Sequence, residues 1–333
     1  MSLKFVKLWN KIKKSSLFVI FSLGVLTAII AGIAVANRNQ PKEVISLILS
    51  TKNNPFFNEI ETAVVNEFDK QNQYDLQIFD SENDDNKQVE NIRNAVALGS
   101  KALIINVVNS STAWDGGLSD VAKRNIPIFA IDRNITAPLG KITQTIASNN
   151  VQGAKDIAEW FLKKYPQAGV DNIFHLGGVQ GSQAAQDREK GFKEGFRKDY
   201  LISEVADFSR SVGLAKTNDI LQSRGEEFKI IFADNDEMAI GAIEAIEARN
   251  FHAVNTTPYD IAKGKYYVLG FDGTSDALKL IKENKMVATV IQQPALMGQI
   301  AAQSTFKVLK GETVESIHDA QTIVVSSDNI DQF

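Results

Sequence analysis

The stretch VISLILSTKNNPFFNEIETAVVNEF, residues 44–68, runs from an apolar segment through a polar turn into an amphipathic one, and that order decides the fold. VISLILS is short, apolar and bounded by turn residues, as a buried strand is, whereas NEIETAVVNEF carries its apolar residues at helical spacing. Phe56 and Phe57 therefore stand at a strand-to-helix turn, directly after Pro55. Such turns are mostly polar, so two large rings there either pack under the rim of a sheet or face something that binds.

The same unit recurs along the chain. Further strand candidates are DLQIFD (75–80), ALIINV (102–107), PIFAID (127–132), NIFHL (172–176), KIIFA (229–233), YYVLGF (266–271) and ATVI (288–291). Helical patterns such as NKQVENIRNAVALG and VQGAKDIAEWFLKKY separate most of them. That alternation predicts an α/β protein of parallel sheets, and so many units favour two open, doubly wound lobes over one closed barrel. A long polar connection, residues 250–266, is the most unusual link.

A chain of 333 residues that is 44% hydrophobic and 23% charged is long enough for two domains with substantial cores. Cysteine is absent, which excludes disulfides, thiolate metal sites and cysteine catalysis. Lys4, Lys7, Lys11, Lys13 and Lys14 precede twenty uncharged residues from Leu17 to Ala36, and no acidic residue comes before Glu43. Residues 1–36 therefore read as an export segment: a signal peptide cleaved after Ala34-Val35-Ala36, or an uncleaved N-terminal membrane anchor. Either way the remainder is expected outside the cytoplasmic membrane, periplasmic or extracytoplasmic. Without those five lysines, 31 basic residues face 40 acidic ones. An acidic exported domain without a basic tract is not expected to bind nucleic acid.

Open α/β sheets bind ligands beyond the carboxyl ends of their strands. Here those positions carry Asn54, Phe56 and Phe57, then Asp132 and Arg133, Asn235, Asp272 and Gln292, joined by Arg188 from the helix opened by GSQAAQDR and Phe208 from VADFSR. Planar carboxylates, carboxamides and guanidinium groups hydrogen-bond adjacent hydroxyls, and phenylalanine faces suit the C–H side of a sugar ring. Together they describe a polyol clamp.

The blocks STKNNPFF, IDRN, AAQDREKGF, VADFSR, FADNDEMAIGA, VLGFDGTSD and ATVIQQP keep the order and spacing of the pentose- and hexose-binding proteins of ABC importers. From Glu43 to about Val325 the chain resembles the ribose-binding branch of that periplasmic family. The resemblance implies the type I fold of periplasmic binding proteins, two lobes joined by three crossovers, and a hinge motion that closes them on the ligand. It implies an N-terminal lobe of residues 43–148 plus 293–321 and a C-terminal lobe of residues 149–292 plus 322–333. The family's ligand contacts fall on Asn54, Phe56, Phe57, Asp132, Arg133, Arg188, Phe208, Asn235, Asp272 and Gln292, all matching the pattern of ribose binders. D-ribose, an ABC permease with its ATPase component and a chemoreceptor are the partners implied, with the protein a monomer and no cofactor. The longer N-terminus and the 250–266 connection depart from the pattern. A binder of another pentose, small furanose or polyol is the alternative. A sugar-responsive transcription regulator shares the core but needs a DNA-binding headpiece where residues 1–42 hold an apolar export segment.

Other motifs read as structural. Gly177, Gly178 and Gly181 in LGGVQGSQ lack phosphate-loop spacing and a Walker lysine, so they predict a tight turn. DSENDDN (80–86) lacks the glycine and the distal glutamate of a calcium loop and reads as a solvated acidic turn. His175, His252 and His318 have no paired metal spacing, so no metal site is expected. No nucleophile elbow is present, and arginines beside the clustered carboxylates are expected to keep them ionised; the chain is not expected to be an enzyme.

Overall fold

The computed structural model describes residues 42–249, 252–253 and 265–333. The expected export segment and most of the 250–266 connection lie outside the described residues. Among the described residues no helix is long and apolar enough to cross a membrane.

The chain begins with β1 (Glu43–Leu49), α1 (Pro55–Phe68), β2 (Tyr74–Asp80), α2 (Asp85–Ala97), β3 (Leu103–Ile105), α3 (Ser119–Lys123), β4 (Ile128–Ile131) and β5 (Gln144–Ser148). It continues with α4 (Asn150–Lys164), β6 (Ile173–Gly177), α5 (Gln183–Phe196), β7 (Ile202–Val205), α6 (Arg210–Arg224), β8 (Ile230–Ala233), α7 (Asp236–Ala248), β9 (His252–Ala253) and β10 (Lys265–Leu269). Then follow α8 (Ser275–Lys282), β11 (Ala288–Ile291), α9 (Pro294–Leu309), β12 (Ile317–Ala320) and β13 (Ile323–Ser326).

These strands make two sheets with one winding. The first runs β2-β1-β3-β4-β5-β12, the second β7-β6-β8-β10-β11-β13 with β9 against β10. Every pairing is parallel except β11 with β13. In each sheet the winding reverses beside its first strand, at β1/β3 and at β6/β8, which is where such sheets open a crevice. The chain crosses between sheets after β5, after β11 and after β12.

Strand alternation feeds both faces. Ile45, Leu47 and Leu49 pack with Ile60 and Val64 of α1 and with Met297 and Ala301 of α9, while Ile48 turns to Ile92 of α2 and Val121 of α3. In the second sheet Phe174, Ile231 and Val268 meet Met238 and Ala242 of α7, and Ile173, Phe232 and Leu269 meet Ile157 and Phe161 of α4. Burial on both faces explains the near-continuous apolar strands.

All eight expected strands are present, some one to three residues shorter. Sequence reading missed β5, β7, β9, β12 and β13. β7 and β12 lie at sheet edges, where partly exposed residues break the apolar run; β13 reaches its place by an antiparallel return that no βαβ pattern announces.

Polar residues at the strand ends start the helices. The Asn54 side chain accepts the Phe56 N–H at 3.0 Å with Pro55 in the first turn, Asp84 accepts from Asn86 and Lys87, and Asn235 accepts from Met238 at 3.0 Å. These caps place helix N-termini at the carboxyl edge of each sheet.

Helix pairs approach closely where a side chain is missing. A Cβ at Gly191 of α5 would fall inside contact distance of the Val151 carbonyl oxygen on α4, backbone that cannot step aside. Gly191→Ala is expected to lower stability by about 1–3 kcal/mol, the usual cost of overpacking, read as a lower denaturant midpoint with an unchanged slope.

Candidate functional site

The strand ends of both sheets converge on one cavity. From the first sheet come Asn54, Phe56 and Phe57 of the β1–α1 turn and Asp132 and Arg133 after β4. From the second come Ala184 and Arg188 of α5, Phe208 before α6, Asn235 before α7 and Asp272 after β10. Gln292, after β11, does not line this cavity but donates to Asp272 Oδ1 at 2.7 Å. All ten residues singled out in the sequence are buried, none more than 8% exposed.

Phe56 and Phe57 both pack in the core and face the cavity. Their rings meet edge to face, 5.4 Å between centroids, within the core of α1 and α9. Arg133 lies between the lobes, its guanidinium carbon 5.5 Å from the Phe57 ring centre and 5.2 Å from that of Phe208. Its Nη1 donates to the carbonyls of Val107 at 2.8 Å and Val108 at 3.2 Å. Arg188 stacks on Phe271 at 4.0 Å and donates through Nη1 to the Asp234 carbonyl at 2.6 Å and to Asp272 Oδ1 at 3.3 Å. The pair Arg133–Asp132 stands at 3.6 Å.

Three of these residues hold left-handed backbone: Asp132 at φ 65°, Phe208 at 56° and Asp272 at 129°. Such conformations cost about 1–3 kcal/mol each and persist only where the surroundings impose them. Parallel pairing imposes them at the carboxylates, since the Asp132 N–H donates to Ile146 O at 2.8 Å and the Asp272 N–H to Val290 O at 2.9 Å. The bare Gly178 gives the Phe208 ring its slot; a Cβ there would overlap the ring.

Several buried polar atoms at the site have no hydrogen-bond partner among the described residues: Asp132 Oδ1, Arg133 Nε, Gln292 Oε1 and Asn106 Oδ1. Each buried unpaired group costs about 1–3 kcal/mol, so the site is poised for a ligand that both donates and accepts. Burial pushes Asp132 up despite Arg133, Arg188 and Asn106, and it pushes Asp272 well up despite Arg188. At both carboxyls desolvation is the largest influence, opposed by the arginines beside them. Burial also pulls Arg133 down to about 10.

Sequence reading missed Asn106, which donates to Asp132 Oδ2 at 3.1 Å and to Ile131 O at 3.0 Å. Its only signal was a carboxamide closing the apolar run ALIIN. Outside the cavity the lobes also touch directly: the Ser110 N–H donates to Gly181 O and the Gln183 N–H to Ser110 Oγ, both at 3.2 Å. The glycine turn thus packs against the opposite lobe. His175 is a buried strand residue, bonded to Asp234 and Ser203 at 2.9 Å each. Glu82 and Asn83 of the acidic turn are left-handed, and Asp84 caps α2.

Two parallel-sheet lobes with a polar, aromatic-walled cavity between their strand ends define a two-lobed solute-binding protein. The sequence pattern of the periplasmic binding protein domain matches residues 45–313, and the chain belongs to that family. It is 35% identical to the ribose import binding protein RbsB of Haemophilus influenzae over 87% of this chain and 94% of the relative. It is 34% identical to RbsB of Bacillus subtilis over 83% and 85%. Among solved structures, a Caulobacter myo-inositol binding protein superposes with a TM-score of 0.76 at 27% identity, covering 87% of this chain and 95% of that one. A galactofuranose binding protein gives a TM-score of 0.78 at 24% identity over 87% and 96%, which supports the fold. These relatives are binding proteins, and this chain is not an enzyme.

Behind Asp272 lies Asp236, which accepts from Thr289 Oγ1 at 2.6 Å and from Thr274 N at 2.8 Å, yet burial pushes it up to about 7. A carboxyl raised in the folded state favours folding fully below its ordinary 3.8, and that contribution is lost as pH rises through about 7. Urea unfolding of wild type and Asp236→Asn from pH 4 to 8 is expected to show the variant gaining relative stability as pH rises, by up to a few kcal/mol at about 1.4 kcal/mol per pKa unit.

Proposed function

We propose that the protein captures D-ribose between its lobes outside the cytoplasmic membrane and delivers it to an ABC importer. The observation that carries this reading is the cavity itself: two arginines, carboxylates and carboxamides with unpaired polar atoms, walled by Phe56, Phe57 and Phe208.

In this reading Phe57 and Phe208 face the C–H sides of the ring, and Asp132, Asp272 and Asn235 accept from its hydroxyls. Arg133, Arg188 and Asn54 supply donors, and Gln292 acts from behind by holding Asp272. In this reading one lobe comprises residues 43–148 plus 293–321 and the other residues 149–292 plus 322–333. The names of the curated relatives support ribose as the ligand, and they support an importer's permease and ATPase as partners. Residues 1–36 direct export, and the mature protein works as a monomer that also presents its closed form to a chemoreceptor.

Calorimetric titration of the purified protein, stripped of bound sugar by unfolding and refolding, tests the reading. D-ribose is expected to bind one to one, and arabinose, xylose and lyxose at least about tenfold more weakly, since each misplaces a hydroxyl in a buried polar site. Failure of ribose to bind overturns the proposal. A second reading, another furanose or polyol, is favoured by the galactofuranose- and inositol-binding neighbours, and preferential binding of such a sugar selects it.

Arg188→Ala and Asp272→Ala are each expected to weaken ribose binding by about 100-fold or more, because each leaves a buried charge without its partner. Circular dichroism should remain that of the folded protein. Full affinity in either variant removes that residue from the site. Because both aspartates are pushed up by burial, affinity is also expected to decline on acidification, beginning above their ordinary titration range.

A further inference from the structure

Arg188 reaches the cavity from the second turn of α5, and its long side chain needs support to hold one plane. That support comes from the chain crossing. Asn150, 5% exposed, directly follows the turn after β5, where the chain leaves the first sheet and opens α4. Its Oδ1 accepts Arg188 Nε–H at 2.8 Å, and its Nδ2 donates to the Ser148 carbonyl at 3.3 Å. The side-chain amide has one consistent orientation, since a flip would set donor against donor at Arg188 Nε and acceptor against acceptor at the Ser148 carbonyl.

We propose that Asn150 is a positioning residue: anchored to the end of β5, it fixes the Arg188 guanidinium toward the cavity and so ties the ligand site to the first chain crossing. The proposal rests on the sugar-binding reading for its functional consequence. A guanidinium is a rigid planar fork. Nε held by Asn150 and Nη1 held by Asp234 and Asp272 fix that plane, with Phe271 stacked beneath it. The remaining donors are thereby directed without cost at binding. Asn150 is a neutral acceptor, so it orients Arg188 without adding a third carboxyl beside Asp132 and Asp272. At the other side of the same pair, Gln292 on the second crossing holds Asp272. Both members of the Arg188–Asp272 pair are thus hooked to a crossing strand.

Two measurements test this. In sugar-free protein, the Arg188 Nε–H resonance in ¹⁵N–¹H spectra should be slowly exchanging in wild type and in Asn150→Asp, which keeps an oxygen facing Nε, and lost in Asn150→Ala. In titration with ribose, Asn150→Ala should bind at least about tenfold more weakly, as expected for loss of a hydrogen bond to a charged group. Asn150→Asp should fall between that variant and wild type. Asn149→Ala is the control: Asn149 caps the same helix by accepting from Gln152 N but does not touch Arg188, so its affinity should change less than about threefold. If Asn150→Ala does not fold, Asn150→Ser, too short to hold Nε, takes its place. An unchanged Nε–H signal, wild-type affinity in Asn150→Ala, or equal losses in both helix-start variants overturns the proposal. If wild type binds no ribose, the sugar reading fails, and the resonance recorded without sugar still decides the role of Asn150.

Discussion

Two arginines and two aspartates, all at most 5% exposed, meet where two sheets face each other, and the rest of the structure serves that burial. Isolated charges of this kind are costly to desolvate, so they persist only where opposite charges, backbone carbonyls and aromatic faces surround them. Arg133 has Val107, Val108, Phe57 and Phe208; Arg188 has Asp234, Asp272, Asn150 and Phe271. Much of this support is backbone and rigid ring, which keeps the donors aimed rather than merely present.

That arrangement trades stability for recognition. Left-handed backbone at Asp132, Phe208 and Asp272 and unpaired polar atoms at Asp132, Arg133 and Gln292 are each unfavourable in the free protein. Strand pairing on both sheets supplies the opposing stability, with Ile45, Leu47, Phe174 and Ile231 fully buried at their centres. A solute that satisfies the unpaired atoms recovers free energy that a mismatched one does not. Rejection of the wrong solute then comes from buried groups left unpaired, a stronger discriminator than an apolar fit.

The fold places these residues economically. One winding order, used in both sheets, brings two crevices into opposition, and each crevice is lined by turns that begin a helix. Asn54 and Asn235 show the economy best, each capping its helix through the side-chain oxygen while lining the cavity. Three chain crossings join the sheets, and two of them carry carboxamides bonded to the charged pair. Movement of the lobes about those crossings cannot leave the site untouched.

How much of this was legible follows from where each residue sits in the pattern. Eight strands could be read because burial on both faces makes VISLILS or KIIFA uniformly apolar, whereas edge strands such as ISEV (202–205) are half exposed and carry no such mark. The residues that line the cavity, Ala184 apart, could be named because they fall at strand ends and within spaced blocks. Asn106 and Asn150 could not, since nothing local separates a carboxamide that bonds Asp132 or Arg188 from one that faces water. By itself the sequence determined the alternating α/β order, the two doubly wound lobes and the polar-aromatic makeup of the site, because periodicity and turn chemistry are local properties of the chain. Only the tertiary structure decided that desolvation outweighs the arginines at Asp132 and Asp272, that Phe56 and Phe57 serve core and cavity together, and which crossing holds Arg188. Those outcomes depend on distances between residues far apart in the chain, and the dielectric and the partners they create exist only once the lobes have met.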